Sequence, residues 1–96
     1  MSSPFEIEYF STDRRRALIT DTEAVWLYSR EEIQEMCLED IEHLLKRSTI
    51  VKNLVHKLAE KLKPTLLTPE QEFAIRVIDA QTKDCQRRLE RLQLEL

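Results

Sequence analysis

The chain contains no glycine. At an average usage of roughly 7%, about seven would be expected in a chain of this length. Glycine serves turns at positive φ, phosphate-cradling loops and close backbone approach to ligands. Its absence argues against nucleotide-binding loops and small-molecule enzyme folds, and favours helices. Cysteine is scarce too. Cys37 and Cys85 are the only two and have neither metal-ligand nor redox spacing. With no signal-peptide pattern in the first residues, they are expected to be reduced cytosolic thiols. Long apolar runs are missing; Ala24–Leu27 is typical of those present. No segment is therefore expected to span a bilayer, and a cytoplasmic location follows. Nor does one sign of charge dominate. Fifteen basic against 18 acidic residues leave a net charge of −3, so no global field steers the chain to nucleic acid or an anionic membrane.

What is present is globular in character: 42% hydrophobic and 34% charged residues over 96 positions, enough for one small domain. Ser29-Arg30-Glu31-Glu32 is a capping box, with Tyr28 and Ile33 at hydrophobic-staple spacing around it. From there Cys37, Ile41, Leu44, Ser48, Val51, Val55, Leu58 and Leu62 recur at alternating intervals of four and three, Ser48 being the one polar member. Acidic residues fill the early turns from Glu31 to Glu42, and Lys57, Lys61 and Lys63 lie near the end, as the helix dipole favours. Pro64 marks a stop. The pattern predicts one helix over Ser29–Leu62.

Thr68-Pro69-Glu70-Gln71 starts a second helix, with threonine as N-cap, proline at the first position and glutamine at the third. Its inner stripe is Ala74, Ile78, Gln81, Cys85, Leu89, Leu92 and Leu96. A short connection makes the two helices fold back antiparallel. The register that pairs Ile78 with Val55, Gln81 with Val51, Cys85 with Ser48 and Leu92 with Ile41 also turns Arg87, Arg88 and Arg91 towards the acidic turns. Core and charge thus select the same alignment. Residues 1–28 form an N-terminal arm. Ala17–Thr20 and Val25–Tyr28 are β-leaning runs around Asp21-Thr22-Glu23, so a small β-hairpin or extended arm is expected, with a short helix near residues 11–13 as the rival. The expected fold is mainly α: an antiparallel helical hairpin over residues 29–96 with this arm, together one domain. Leu38, Leu45, Ile50, Leu54, Ile75 and Val77 lie beside the stripes, and a second copy forming a dimeric helical bundle is the simplest cover for them.

Catalytic equipment is not legible. His43 and His56 read as residues of a solvated helix face. No HExxH, no serine elbow and no Cys–His motif occurs, and Glu31, Glu35 and Glu39 share a face without the ExxH partner that a di-metal bundle requires. Cys37 and Cys85 are expected on the inner stripes as small apolar groups. No cofactor, metal or enzymatic activity is expected. The sharpest charge feature is Arg14-Arg15-Arg16. Trp26 and Tyr28 read first as staple and core, with an exposed patch as the alternative.

Two stretches resemble a known family. Glu70-Gln71-Glu72-Phe73-Ala74-Ile75-Arg76, followed by Gln81, is similar to the EQ(E/Q)FxxR opening of the NblA phycobilisome-degradation adaptors. Ser29-Arg30-Glu31-Glu32-Ile33-Gln34, running on to Leu44-Leu45-Lys46-Arg47, resembles that family's second helix. The order is reversed here and the N-terminal segment has no counterpart. The resemblance implies a small dimeric helical adaptor without catalytic residues, which recruits a pigment protein to a protease. On the residues themselves, the expectation is a protein–protein interaction module, an adaptor, assembly factor or regulator. Its candidate contacts are Arg14, Arg15, Arg16, Trp26, Ile50 and Leu54. The alternative is a small dimeric nucleic-acid-binding regulator that uses the arginine triplet.

Overall fold

The structure is a computed structural model that describes residues 16–20, 23–62 and 67–95. Strand β1 (Arg16–Thr20) pairs with β2 (Glu23–Leu27), and the helices are α1 (Arg30–Gln34), α2 (Leu38–Leu62) and α3 (Pro69–Leu94). The fold is mainly helical: α2 and α3 pack against each other, with a small antiparallel β-hairpin on the N-terminal side. Of the two expectations for the arm, the hairpin is the one observed. The proposed helix start near residues 11–13 lies outside the described residues.

The hairpin register sets Leu18 opposite Val25 and Ala17 opposite Trp26. Because side chains alternate along a strand, Leu18, Thr20, Val25 and Leu27 share one face. All four are buried, and Leu18, Val25 and Leu27 join the core beneath the helices. Ala17, Ile19, Ala24 and Trp26 share the other face, where Ala24 and Trp26 are exposed.

Both capping boxes form. Ser29 Oγ accepts from the Glu32 amide at 3.2 Å while Glu32 Oε1 accepts from the Ser29 amide at 3.1 Å. Thr68 and Gln71 make the same reciprocal pair at 3.2 and 3.0 Å. The predicted single helix over Ser29–Leu62 is not observed, however. It breaks after Gln34, and α2 begins at Leu38. The Glu35 and Met36 amides close the end of α1 on the Glu32 and Ile33 carbonyls, three residues back, the tighter spacing common at helix ends. The Met36 carbonyl turns out of the helix and accepts from Arg88 Nε and Nη2 at 3.2 and 3.1 Å. The break lets α1 lean on α3 with Ile33 fully buried. The acidic run that reads as one helix start therefore serves two: Glu31 and Glu32 in the first turn of α1, Glu39 and Asp40 in that of α2.

This break corrects the lower end of the stripe. Cys37, expected inside, is exposed. Beyond it Ile41, Leu44, Ser48, Val51 and Val55 are buried as the spacing predicts, and Ala59 then takes the place expected of Leu58. On α3, Ala74, Ile78, Gln81 and Cys85 are buried, joined by Gln71 and Thr82. Leu92 packs at the margin of the cluster that contains Ile41. The antiparallel alignment holds, but Ser48 meets Thr82 and Gln81 rather than Cys85. The flanking positions Leu38, Leu45, Ile75 and Val77 are not left open: they pack against the core at half burial.

Candidate functional site

The site is built outward from a buried polar chain. Gln81, only 3% exposed, uses every polar hydrogen and its oxygen. Its Oε1 accepts from the Tyr28 amide at 2.8 Å, and its Nε2 donates to the Trp26 carbonyl at 3.1 Å and to Ser48 Oγ at 3.3 Å. Thr82 Oγ1 spends its one proton on the Ile78 carbonyl at 2.8 Å. The 2.9 Å contact between the hydroxyls of Ser48 and Thr82 must then be donated by Ser48. The polar exceptions in the two stripes thus form one satisfied relay that ties the hairpin to both long helices. Gln81 and Arg47 also occupy the open edge of β2: Arg47 Nη2 donates to the Ala24 carbonyl at 3.0 Å and pairs with Glu23 at 3.1 Å. A paired or covered edge does not recruit further strands.

With β2 held this way, an open groove of about 950 Å³ lies between it, α1 and the start of α2. Trp26, Tyr28, Met36 and Leu44 supply apolar wall, and Glu32, Glu35 and Asp40 supply negative charge. Arg47, its one arginine, is the same side chain that holds Ala24 and Glu23. Trp26 is half exposed, at 50%, so the expectation that it serves as core does not hold for it. Tyr28, half-buried and packed against the core, does fill that role. Cys37 and His43 also line the groove, and no hydrogen bond joins them among the described residues.

On the other side of α1 sits a second, smaller cavity of about 320 Å³, lined by Arg30, Arg87, Arg88, Arg91, Asp84, Ile33 and Gln34. Arg30 reaches Asp84 at 3.6 Å. The expected use of Arg87, Arg88 and Arg91 by the acidic turns is not observed. Arg88 goes to the Met36 carbonyl, and Arg87 and Arg91 meet no carboxylate among the described residues.

The predicted contacts do not converge on one place. Arg14 and Arg15 lie outside the described residues. Arg16 is exposed at the start of β1, Ile50 is 45% exposed on α2, and Leu54 is half-buried one turn further on. Of the predicted six, Trp26 alone lines the groove. His56 pairs with Asp79 at 2.8 Å on the surface. Cys85 is buried beside Asp84, and burial first, then that carboxylate, push its thiol from 9.0 up to about 12. No helix is long and apolar enough to cross a membrane among the described residues, nor does any cluster of three His, Cys, Asp or Glu side chains there suit a metal ion. No protein-family model matches the chain, and no curated protein and no solved structure matches it.

Proposed function

We propose that this chain is a non-enzymatic, cytoplasmic protein–protein interaction module, an adaptor or assembly factor, whose groove between β2 and α2 takes a protein segment with apolar and basic side chains. One observation carries the reading: Trp26 stands half exposed in a groove walled by apolar side chains and ringed by Glu32, Glu35 and Asp40. Large aromatics of this kind, placed beside apolar pockets, contribute most of the binding energy in protein interfaces. The acidic ring selects a basic partner and rejects an acidic one. With the β2 carbonyls already engaged by Arg47 and Gln81, recognition runs through side chains rather than through strand addition. The resemblance to NblA-type adaptors points to the same class of function.

The chain carries its own reporter, since Trp26 is its one tryptophan. Titration with a synthetic amphipathic Lys/Leu peptide should shift Trp26 emission saturably, and a Glu/Leu peptide should not. Proteins captured from the native host should fall at least tenfold with Trp26→Ala and with the Glu35→Gln/Asp40→Asn pair. Equal capture by these variants, at unchanged melting temperature, would remove the groove from the proposal. The homodimer belongs to the same reading: Ile50 and Phe73, 45% and 43% exposed, are surfaces a second copy would cover. Light scattering that returns the monomer mass at every concentration would count against it.

A further inference from the structure

We infer that the cavity between α1 and α3 is an anion site for a phosphate monoester, held by Arg30, Arg87, Arg88 and Arg91 over the buried side chain of Ile33. Four guanidinium groups face one carboxylate there, Asp84, which already pairs with Arg30. Arg87 and Arg91 stand at i, i+4 on α3, a spacing at which like charges repel and destabilise a helix. The dipole of α3 accounts for Arg91, which lies in its last turn. It does not account for Arg87 or Arg88, because the effect fades beyond that turn. Arg88 gives its Nε and Nη2 edge to the Met36 carbonyl, which fixes the guanidinium in place and leaves its Nη1 side for a ligand. The break between α1 and α2 supplies that carbonyl, and it also brings Arg30 to the cavity from a second element.

A surplus of this size suits a dianion better than a monocarboxylate, and a phosphate monoester carries about −1.5 to −2 at neutral pH. Arginine forks match its oxygens in pairs. At about 320 Å³ the cavity is near the lower limit of small-ligand sites, roughly 300–1,000 Å³. That admits a phosphoryl group together with part of the side chain or small molecule that carries it. The phosphate can come from a phosphorylated side chain of a protein partner or from a small free phosphate compound. A polymeric phosphate fits less well, because Glu32, Glu35 and Asp40 wall the groove just across α1 and repel a chain of phosphates running past the cavity.

The test uses the full chain and four probes at constant ionic strength: inorganic phosphate, a five-residue phosphoserine peptide, its unphosphorylated form, and a single-stranded oligothymidylate. Sodium acetate and sodium chloride serve as controls. Phosphate and the phosphopeptide should each raise the melting temperature and bind saturably at one site per chain, with amide shifts centred on residues 84–91. The Arg87→Gln/Arg91→Gln variant should bind both at least tenfold more weakly. In phosphate-free buffer it should melt within a few degrees of the parent, because relief of the repelling pair and loss of Arg91 from the last turn of α3 nearly offset each other. Trp26→Ala should bind phosphate unchanged, which separates this site from the groove. A phosphopeptide more than tenfold tighter than inorganic phosphate assigns the ligand to a protein, and equal affinities assign it to a small molecule. Stabilisation that acetate or chloride reproduces, or that survives in the double variant, overturns the site. So does an oligothymidylate that binds tighter than phosphate with a steep salt dependence, which would make the face a nucleic-acid contact.

Discussion

Gln81→Leu is the most informative single change, because Leu has nearly the right shape and none of the polar atoms. It leaves the Tyr28 amide and the Trp26 carbonyl without their partner and deprives Ser48 Oγ of a donor. An orphaned buried group costs about 1–3 kcal/mol. Both backbone groups are only part-buried, so the lower half of that range applies and together they cost about 2–4 kcal/mol. The added apolar side chain offsets about 1 kcal/mol of this. A net loss of about 2 kcal/mol in a domain of this size lowers the melting temperature by roughly 8–16 °C. Urea unfolding followed both by helix ellipticity and by Trp26 emission is the assay. The parent should give coincident curves. In the variant the Trp26 transition should come first, since the hairpin has lost its tie to α2 and α3. Gln81→Glu separates the roles further: it keeps the acceptor for Tyr28 but loses both donors and places a charge in a closed site. It should be the worse of the two at neutral pH and recover on acidification. If Gln81→Leu stayed within about 0.5 kcal/mol of the parent, the relay would not be what fastens the hairpin, and the groove would lose its support.

Three further predictions rest on burial and exposure. Thr20 is fully buried and its hydroxyl has no partner among the described residues, so Thr20→Val should stabilise the chain by about 1 kcal/mol, measured by urea unfolding; a loss of that size would mean the hydroxyl is bonded after all. The thiols should differ sharply: in the native chain a maleimide should modify exposed Cys37 and spare buried Cys85, and both should react in urea. The folded-state value of Cys85, raised from 9.0 to about 12, means its contribution to stability is complete below pH 9 and declines as pH climbs towards 12. The decline is at most about 1.4 kcal/mol per pH unit. Cys85→Ala should flatten the alkaline fall in stability by that component, and an identical fall in both proteins would refute the assignment.

Much of the fold is legible because its long elements obey one rule throughout. From Ile41 to Val55 and from Ala74 to Cys85, spacing, caps and charge all call for amphipathic helices, and the core follows them. The β-hairpin is legible from its two short β-leaning runs. What the pattern hides is the break at residues 35–37. Met36, Cys37 and Leu38 are each compatible with a helix, and nothing local demands an interruption. The demand is tertiary: Ile33 is buried against α3 only if α1 turns away, and Arg88, fifty-two residues further on, accepts the task of bonding the freed carbonyl. The relay is hidden for a related reason. Ser48 and Gln81 are visible as polar exceptions in otherwise apolar stripes, yet Thr82 lies one position off its stripe, and its burial against Ser48 is set by how α2 and α3 pack. Of the predicted contacts, Trp26 joins a groove, because its alternation on β2 keeps it off the face that carries Leu18, Val25 and Leu27 into the core. Ile50 and Leu54 follow from helical periodicity alone, which locates an outer face without saying what adjoins it.

The break also decides what the surface can bind. An unbroken helix would spread Glu31 to Glu42 and its partners along one rod, and the net charge of −3 would then describe the molecule fairly. With α1 turned onto α3, charge is sorted by side instead. Glu32 and Glu35 face the groove with Trp26, while Ile33, Gln34 and Arg30 face the cavity with the α3 arginines. Five residues of helix thus separate an acid-walled groove from an arginine-walled cavity, and each favours ligands of the opposite charge. A small negative total is therefore no measure of either surface. If the groove takes an apolar basic segment and the cavity a phosphorylated side chain, as proposed, one partner is held at two points on either side of one short helix. Binding at two linked points multiplies affinity without new contacts, provided the linker spans the sites.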